Sequence, residues 1–261
     1  MSQPQLLIET RGHVLTIGLN RPEKRNAFDV DMYLQLASAL GELHRNPELR
    51  VGVVYAVGEH FTGGLDLPKW APVFASGGMP TLPEGGIDPC GLQGERLKKP
   101  LIYAVQGTCL TIGIELMLAA DIRIAASNTQ FGQIEVKRGI YAVGGATVRW
   151  LQEIGWGNAM RYLLTGDLLS APEAHRMGLV QELVEPGEQF ERALAIADNI
   201  AQQAPLAVQA TLQSARIARY QGDEVAISRL LPDLAPLMAS EDVKEGMAAF
   251  MQRRPAQFVG R

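Results

Sequence analysis

The sequence predicts an α/β layered fold that continues into a helical C-terminal region. Short β-rich runs are separated by amphipathic helical patterns through most of the chain, and from about residue 188 onward nearly every pattern is helical. The chain has 261 residues, of which 47% are hydrophobic and 20% charged, so it can bury a large core. We therefore expect a core at 1–187 and a helical extension at 188–261.

The regular elements follow one another in a simple order. Asp29 is a suitable N-cap for a helix over 30–46, which presents one apolar face. Ser170 and Glu173 form a capping-box pattern for a later helix, and Gly178 suits its C-terminal end. The predicted strands are LLIE (6–9), HVLTIGL (13–19), VGVVYAV (51–57), LIYAVQ (101–106) and DIRIA (121–125).

Residues 68–94 differ from the rest of the chain because they are crowded with glycine and proline, which gives them little capacity for regular structure. A connection of this length is either functional or disordered. The stretch 101–120 is long and apolar, but Gln106, Gly107 and Glu115 interrupt it. We therefore expect a buried strand followed by a buried helix over 111–120, and no membrane span.

Composition and charge exclude several other classes of protein. A formal net charge of -4 gives no electrostatic footprint for nucleic acid. The two cysteines, Cys90 and Cys109, form neither a disulfide framework nor a metal-ligand cluster, so we expect no metal and a cytoplasmic location. The first ten residues lack the pattern of a secretory signal.

Two glutamates are the main candidates for chemistry. Glu115 lies inside the apolar run GTCLTIGIELMLAA, where it either sits at a helix N-terminus or serves as a perturbed acid in a dry site. Glu135 follows twenty residues later and is either an exposed side chain or a partner that the fold returns beside Glu115. His60 is the only histidine near a candidate segment, and a structural role is the commoner one for such a residue.

Several segments, in order, resemble the crotonase, or enoyl-CoA hydratase/isomerase, superfamily. The resemblance implies a spiral of repeated ββα units with C-terminal helices that pack in trimers. The matching segments are LNRPEKRNAF (19–28), FTGGLDL (61–67), AVQGTCLTIGIELMLAADIRIA (104–125), FGQIEVKRGIYAVGGATVR (131–149), LLTGDLLSAPEAHRMGLVQELV (163–184) and SEDVKEGMAAFMQRRPAQF (240–258).

The resemblance also implies a thioester site for hydration of an enoyl-CoA. By motif matching, Glu115 is the base that activates water and Glu135 the acid that protonates the α-carbon. The backbone N–H groups of Leu65 and Ile112 form the oxyanion hole. No cofactor is expected, because coenzyme A is part of the substrate. The residues assigned to substrate and CoA binding are Lys24, Arg25, Ala27, Gly64, Asp66, Leu67, Pro68, Gly139, Phe250 and Arg253.

Two further expectations concern the loop and the C-terminus. Residues 68–94 are either a mobile lid, in which Trp70 and Phe74 cover the acyl chain, or a surface insertion without substrate contact. In FMQRRPAQF, Phe250 and Phe258 are candidates to pack on adenine, and Arg253 or Arg254 to meet a phosphate. We expect a homotrimer or a dimer of trimers.

Departures from the family pattern leave alternatives open. Relatives often have a glycine pair at Thr111 and Ile112 and a small residue at Leu65. The added bulk favours either a reshaped acyl pocket or a different acyl-CoA reaction, such as isomerisation or hydrolysis. Some crotonase relatives bind RNA through a lysine-rich helix, but the helix over 30–46 contains no lysine.

Overall fold

The computed structural model describes residues 3–261, so the first two residues of the predicted core lie outside it. The strands are β1 (Leu6–Arg11), β2 (Val14–Leu19), β3 (Val51–Ala56), β4 (Leu101–Val105), β5 (Thr108–Leu110), β6 (Ile122–Ala126), β7 (Gln130–Gly132), β8 (Leu169–Ser170) and β9 (Glu182–Val184). The helices are α1 (Val30–Arg45), α2 (Leu67–Ala75), α3 (Ile112–Ala119), α4 (Ala146–Ile154), α5 (Trp156–Thr165), α6 (Ala171–Arg176), α7 (Gln189–Ala201), α8 (Pro205–Gln221), α9 (Asp223–Met238) and α10 (Glu241–Gln252).

The strands form a large and a small sheet. The large sheet has the order β1-β2-β3-β4-β6-β9, with β1 antiparallel to β2 and every other pair parallel. The small sheet has the order β5-β7-β8. All five strands predicted from the sequence are present. The four short strands were not predicted, because two or three residues are too few to show a periodicity.

A strand of the large sheet, a short segment of the small sheet and a helix form a repeating unit. β4 is followed by β5 and α3, and β6 is followed by β7 and then α4. Two isolated parallel bridges, Phe28 with Leu65 and Thr62 with Cys109, extend the small sheet through the earlier units. The expectation of a ββα spiral is therefore confirmed, as is the helical region that begins near residue 188.

Both faces of the large sheet are buried, which explains the continuous apolar runs of its central strands. α1 and α3 contribute to the larger core on one face. α7 covers the other face and packs its alanines against the valines and isoleucines of the sheet. Among residues 3–261, no helix combines the length and apolarity needed to cross a bilayer.

The helix signals in the sequence were only partly correct. Asp29 caps α1 as predicted, since its Oδ1 accepts a hydrogen bond from the Met32 N–H at 2.9 Å. α6 follows Ser170 as predicted, but the Ser170 side chain makes no capping hydrogen bond. Glu173 binds Arg176 instead, so the predicted capping box does not form.

The expectation that residues 68–94 lack regular structure was wrong at their start. Two apolar turns there fold as α2, which tolerates Pro68 in its first turn. Trp70 is 1% exposed, packs edge-on against Tyr33 and donates from Nε1 to the Phe28 carbonyl at 2.9 Å. Trp70 is therefore a core residue and not a surface residue of a mobile lid, whereas Phe74 beside it is only half-buried.

Candidate active site

Glu115 occupies the first turn of α3 and is 3% exposed. Its Oε1 accepts hydrogen bonds from the backbone N–H groups of Gly144, at 2.5 Å, and Ala146, at 3.4 Å. Gly144 lies in the turn before α4 and Ala146 is the first residue of α4, so neither donor belongs to the helix that carries Glu115. The N-terminus of α3 alone therefore does not account for the buried carboxylate, because a separate segment of chain also donates to it.

The turn that receives Glu115 requires glycine. A Cβ atom built on Gly144 would lie 2.4 Å from Oε2 of Glu115, which is closer than any real Cβ contact. Gly145 follows with φ +107°, a backbone region that favours glycine. Arg149 packs on this turn and donates to the carbonyls of Cys90 and Gly91 at 2.6 and 3.0 Å. Sequence reasoning did not assign this turn, although the glycine pair after Val143 marked it.

The structure brings Glu135 to Glu115. Glu135 begins a 3₁₀ helix (Glu135–Arg138), and its Oε2 is buried without a hydrogen-bond partner among the described residues. Burial, together with the charge of Glu135, raises the pKa of Glu115 to about 7. Burial also raises the pKa of Glu135. The two carboxyl groups are thus close enough for the charge of one to act on the other, so both cannot ionise easily.

The two carboxyl groups differ in their hydrogen-bond partners. Hydrogen bonds donated by backbone N–H groups favour the ionised form, and Glu115 has two such donors. The carboxyl group of Glu135 has one, from its own backbone N–H, and its Oε2 has no partner within residues 3–261. The pKa of Glu115 is nonetheless raised to about 7, so below that pH Glu115 also carries a proton.

The loops that follow β2 and β3 are joined by backbone hydrogen bonds. Gly63 donates to the Arg25 carbonyl at 2.7 Å, Phe28 donates to Gly64 at 2.9 Å, and Asp66 donates to Phe28 at 2.8 Å. Because Phe28 bonds to the residues on both sides of Leu65, the N–H of Leu65 points away from Phe28. This pairing brings Lys24, Arg25 and Ala27 beside Gly64, Leu65 and Asp66.

Two backbone donors are left free at this junction. Ile112 is the first residue of α3, so its N–H has no intrahelical acceptor. Neither this N–H nor that of Leu65 has an acceptor within residues 3–261. A built Cβ on Gly64 would lie 2.5 Å from Oγ1 of Thr111, so the Leu65 segment and the start of α3 touch each other. The arrangement can receive a developing negative charge on an oxygen.

Asn26 holds the first loop in place and was missed by sequence reasoning. It is fully buried, donates from Nδ2 to the carbonyls of Val57 and His60, and accepts from the Arg21 N–H. The only sign of this role is the left-handed backbone of Asn26, φ 51°, which can be seen in the structure but not in the sequence. His60 accepts from the Thr108 N–H through Nδ1, which is a structural role.

The remaining predicted residues separate into two groups. Leu67 and Pro68 begin α2 beside Asp66, and Gly139 ends the 3₁₀ helix of Glu135 with φ +76°. Phe250 and Arg253 are exposed near the end of α10 and are not brought to Glu115 in the same chain.

The position of the C-terminal tail explains this separation. The Phe258 carbonyl accepts from Arg50, which directly precedes β3 at the amino end of the parallel strands. The oxyanion segments follow the carboxyl ends of β3 and β4. Arg254 is bound bidentately by Glu245, and Phe258 packs on Gly246, so these two members of the predicted set are already engaged.

No group of three or more His, Cys, Asp or Glu side chains in the described part of the chain is placed to hold a metal ion. Cys90 and Cys109 are both buried and free.

Comparison with known proteins gives a consistent picture. The chain matches the family described as enoyl-CoA hydratase/isomerase over residues 9–261. It is 35% identical to an enoyl-CoA hydratase of Mycobacterium tuberculosis, across 100% of this chain and 98% of that protein. It is 36% identical to the (E)-benzylidenesuccinyl-CoA hydratase of Thauera aromatica, across 97% and 98% of the two chains.

The similar solved structures have names of the same kind. A probable enoyl-CoA hydratase/isomerase from Mycobacterium abscessus has a TM-score of 0.95 and 52% identity, and the match covers 98% of this chain and 99% of that one. An enoyl-CoA hydratase from Mycobacterium tuberculosis has a TM-score of 0.90 and 37% identity, with 99% and 100% covered.

Proposed function

This chain belongs to the enoyl-CoA hydratase/isomerase family, and on that premise we propose that it adds water across the 2,3 double bond of an enoyl-CoA thioester. Relatives named as hydratases, between 31 and 36% identical, support this type of enzyme activity. The observation that carries the proposal is the pair of glutamates: Glu115, which is buried with two N–H donors, and Glu135, which is half-buried with a free buried oxygen.

In the proposed reaction the two backbone N–H groups and the two glutamates each have a separate role. The thioester oxygen accepts from the N–H groups of Leu65 and Ile112, which draws electron density away from the β-carbon. Ionised Glu115 takes a proton from water while the water oxygen bonds to the β-carbon, and the electron pair of the alkene moves into the enolate. Protonated Glu135 then gives its proton to the α-carbon, and transfer of a proton from Glu115 to Glu135 restores the starting pair. Both carboxylates would act from one side, so the addition is syn, and no cofactor is needed.

A second candidate is another acyl-CoA reaction, such as isomerisation or hydrolysis. The observation that favours it is the bulk of Leu65 and Ile112 beside the oxyanion position, where Ile112 is 3% exposed. Such side chains restrict the space for an attacking water. The pair of glutamates supports hydration more strongly, because double-bond migration needs only one group that shuttles a proton.

We also propose that the protein assembles as a homotrimer or a dimer of trimers. α9 exposes several large apolar side chains, among them Leu231 at 77%, which a monomer would leave in water. Because Phe250 and Arg253 lie at the far end of the sheet from Glu115, their predicted contact with CoA would have to be made to a neighbouring subunit's site.

The proposed function is tested with a panel of 2-enoyl-CoA thioesters of increasing chain length. Hydration is followed by loss of the absorbance of the conjugated thioester, and the product is identified by mass and stereochemistry. A 3-hydroxyacyl-CoA product supports the proposal. A product of unchanged mass indicates isomerisation, and release of free CoA indicates hydrolysis, so either result would replace the hydratase assignment.

A further inference from the structure

Thr111, the residue before Ile112, has a backbone conformation that suits glycine. Its φ is 48° and its ψ -111°, and it is one of four non-glycine residues with positive φ among residues 3–261. A β-branched residue is unusual in this region, because its Cβ substituents crowd the neighbouring carbonyl groups. Strain of this kind persists where the surrounding structure enforces it, and it is often found at functional sites.

The backbone of Thr111 is fully used, whereas its hydroxyl is not. The N–H donates to the Gly132 carbonyl at 2.8 Å, and the carbonyl accepts from Ile114 and Glu115. The side chain is half-buried, and Oγ1 has no hydrogen-bond partner in the described part of the chain. The only polar group that threonine adds at this strained position is therefore a free donor.

The hydroxyl lies between the two segments that supply the backbone donors. Thr111 directly precedes Ile112, whose N–H is one donor. Oγ1 is the nearest atom to a Cβ built on Gly64, at 2.5 Å, whereas Cβ and Cγ2 of Thr111 are at 3.7 and 3.8 Å. The side chain thus turns its oxygen, and not its methyl group, toward Gly64, which directly precedes Leu65 and its free N–H.

We propose that the Thr111 hydroxyl is a third hydrogen-bond donor to the thioester oxygen, beside the N–H groups of Leu65 and Ile112. This inference rests on the proposed function, since it concerns the same thioester site. An enolate oxygen can accept more than two hydrogen bonds, and a hydroxyl rotates to meet it without moving the backbone. The bond strengthens as negative charge develops, so it acts on turnover more than on substrate binding.

Three substitutions at one position separate the hydroxyl from the strain. Thr111→Ser keeps the donor, Thr111→Val keeps the shape without it, and Thr111→Gly removes both the donor and the strain. We expect Ser to retain kcat within about threefold, and Val and Gly to lose ~10²-fold in kcat with little change in KM. The glycine variant should be no less stable than the wild type, so its loss of activity cannot be assigned to misfolding.

A spectroscopic measurement makes the test independent of turnover. The thioester carbonyl stretch of a bound 2-enoyl-CoA is recorded by Raman difference spectroscopy in each variant. The shift to lower frequency should be smaller in Val and Gly than in wild type and Ser. Wild-type kcat together with an unchanged carbonyl shift in the glycine variant overturns the proposal.

The outcomes distinguish the two proposals. If the wild type binds enoyl-CoA but does not hydrate it, the proposed function fails, and the carbonyl shift still decides the role of Thr111. If the wild type binds no acyl-CoA, both proposals fail.

Discussion

Glu115 and Glu135 lie close enough to interact electrostatically, and they differ in their hydrogen-bond donors. We predict that Glu115→Gln and Glu135→Gln each lower kcat by ~10²–10⁴-fold, because the amide keeps the shape but transfers no proton. Binding of a saturated acyl-CoA, measured by calorimetry, should remain. Near-normal turnover by the Glu135 variant would show that Glu135 is not the acid.

The raised pKa of Glu115 predicts how activity depends on pH. The base must be ionised to take a proton from water, and burial with the charge of Glu135 raises its pKa to about 7. We therefore expect kcat/KM to fall on the acid side with a midpoint near pH 7, measured with a short enoyl-CoA. A midpoint close to the pKa of a solvated glutamate would contradict the buried position.

The same shift predicts a change in stability with pH. The pKa is raised in the folded state, from 4.5 to about 7, so the stabilisation is complete below pH 4.5 and is lost as the pH rises through 7. Between these values the wild type should lose on the order of 3 kcal/mol in its free energy of unfolding relative to Glu115→Gln, which has no group to ionise at position 115. Urea unfolding of both proteins across this range measures the difference.

At the scale of elements, α2 shows that the start of the long loop is structural. Trp70 packs in the core, and its Nε1 shares the Phe28 carbonyl with the Asp66 N–H, so it supports the segment that carries Leu65. We predict that Trp70→Ala lowers the free energy of unfolding by about 3–5 kcal/mol.

The matched control is Trp70→Phe, which keeps most of the volume and should lose only about 1 kcal/mol with the hydrogen bond. Urea unfolding measures both variants. If the alanine variant were fully stable and had an altered chain-length preference, Trp70 would belong to a lid and not to the core.

A later part of the same loop, around Asp88 and Leu92, borders the turn that receives Glu115. Asp88 fixes it, because its Oδ2 accepts from the N–H groups of Leu92 and Gln93. Leu92 is 43% exposed, and its Cδ2 lies 3.3 Å from a Cβ built on Gly145. We predict that Leu92→Ala changes the ratio of kcat/KM for long and short enoyl-CoA substrates by about tenfold, since it removes apolar surface beside the site.

Leu164→Ala is the control for this experiment. Leu164 is 71% exposed on α5, and its loss should leave the substrate profile unchanged. An equal profile for both variants would show that the loop does not contact the acyl chain.

At the scale of the whole molecule, the C-terminal helices leave an apolar face uncovered. Ile227 is 66% exposed and Leu231 77% exposed on α9. We predict that the wild type sediments as a multiple of three subunits, and that Leu231→Asp shifts it to smaller species, because a buried, unpaired carboxylate opposes association. Leu164→Asp, at a similarly exposed site outside these helices, serves as the control. A fully active wild-type monomer would contradict the assembly.

The strongest predictions from the sequence concern elements whose signals are local. The five long strands, α1 with its Asp29 cap and the C-terminal helices were all predicted, since periodicity and capping depend on neighbouring residues. The resemblance to the family also identified both glutamates. The errors occurred where packing outweighed composition: the proline- and glycine-rich start of the loop became a helix because Trp70 is buried there.

The sequence by itself determined the order of the ββα units, the family and the two glutamates for which proton transfer is proposed. Only the tertiary structure decided which donors the Glu115 carboxylate receives, because Gly144 and Ala146 lie 29 and 31 positions after Glu115. It alone showed the strained backbone of Thr111 and its contact with Gly64. Hydrogen bonds and close approaches between distant segments depend on how the spiral closes, and no local pattern encodes that closure.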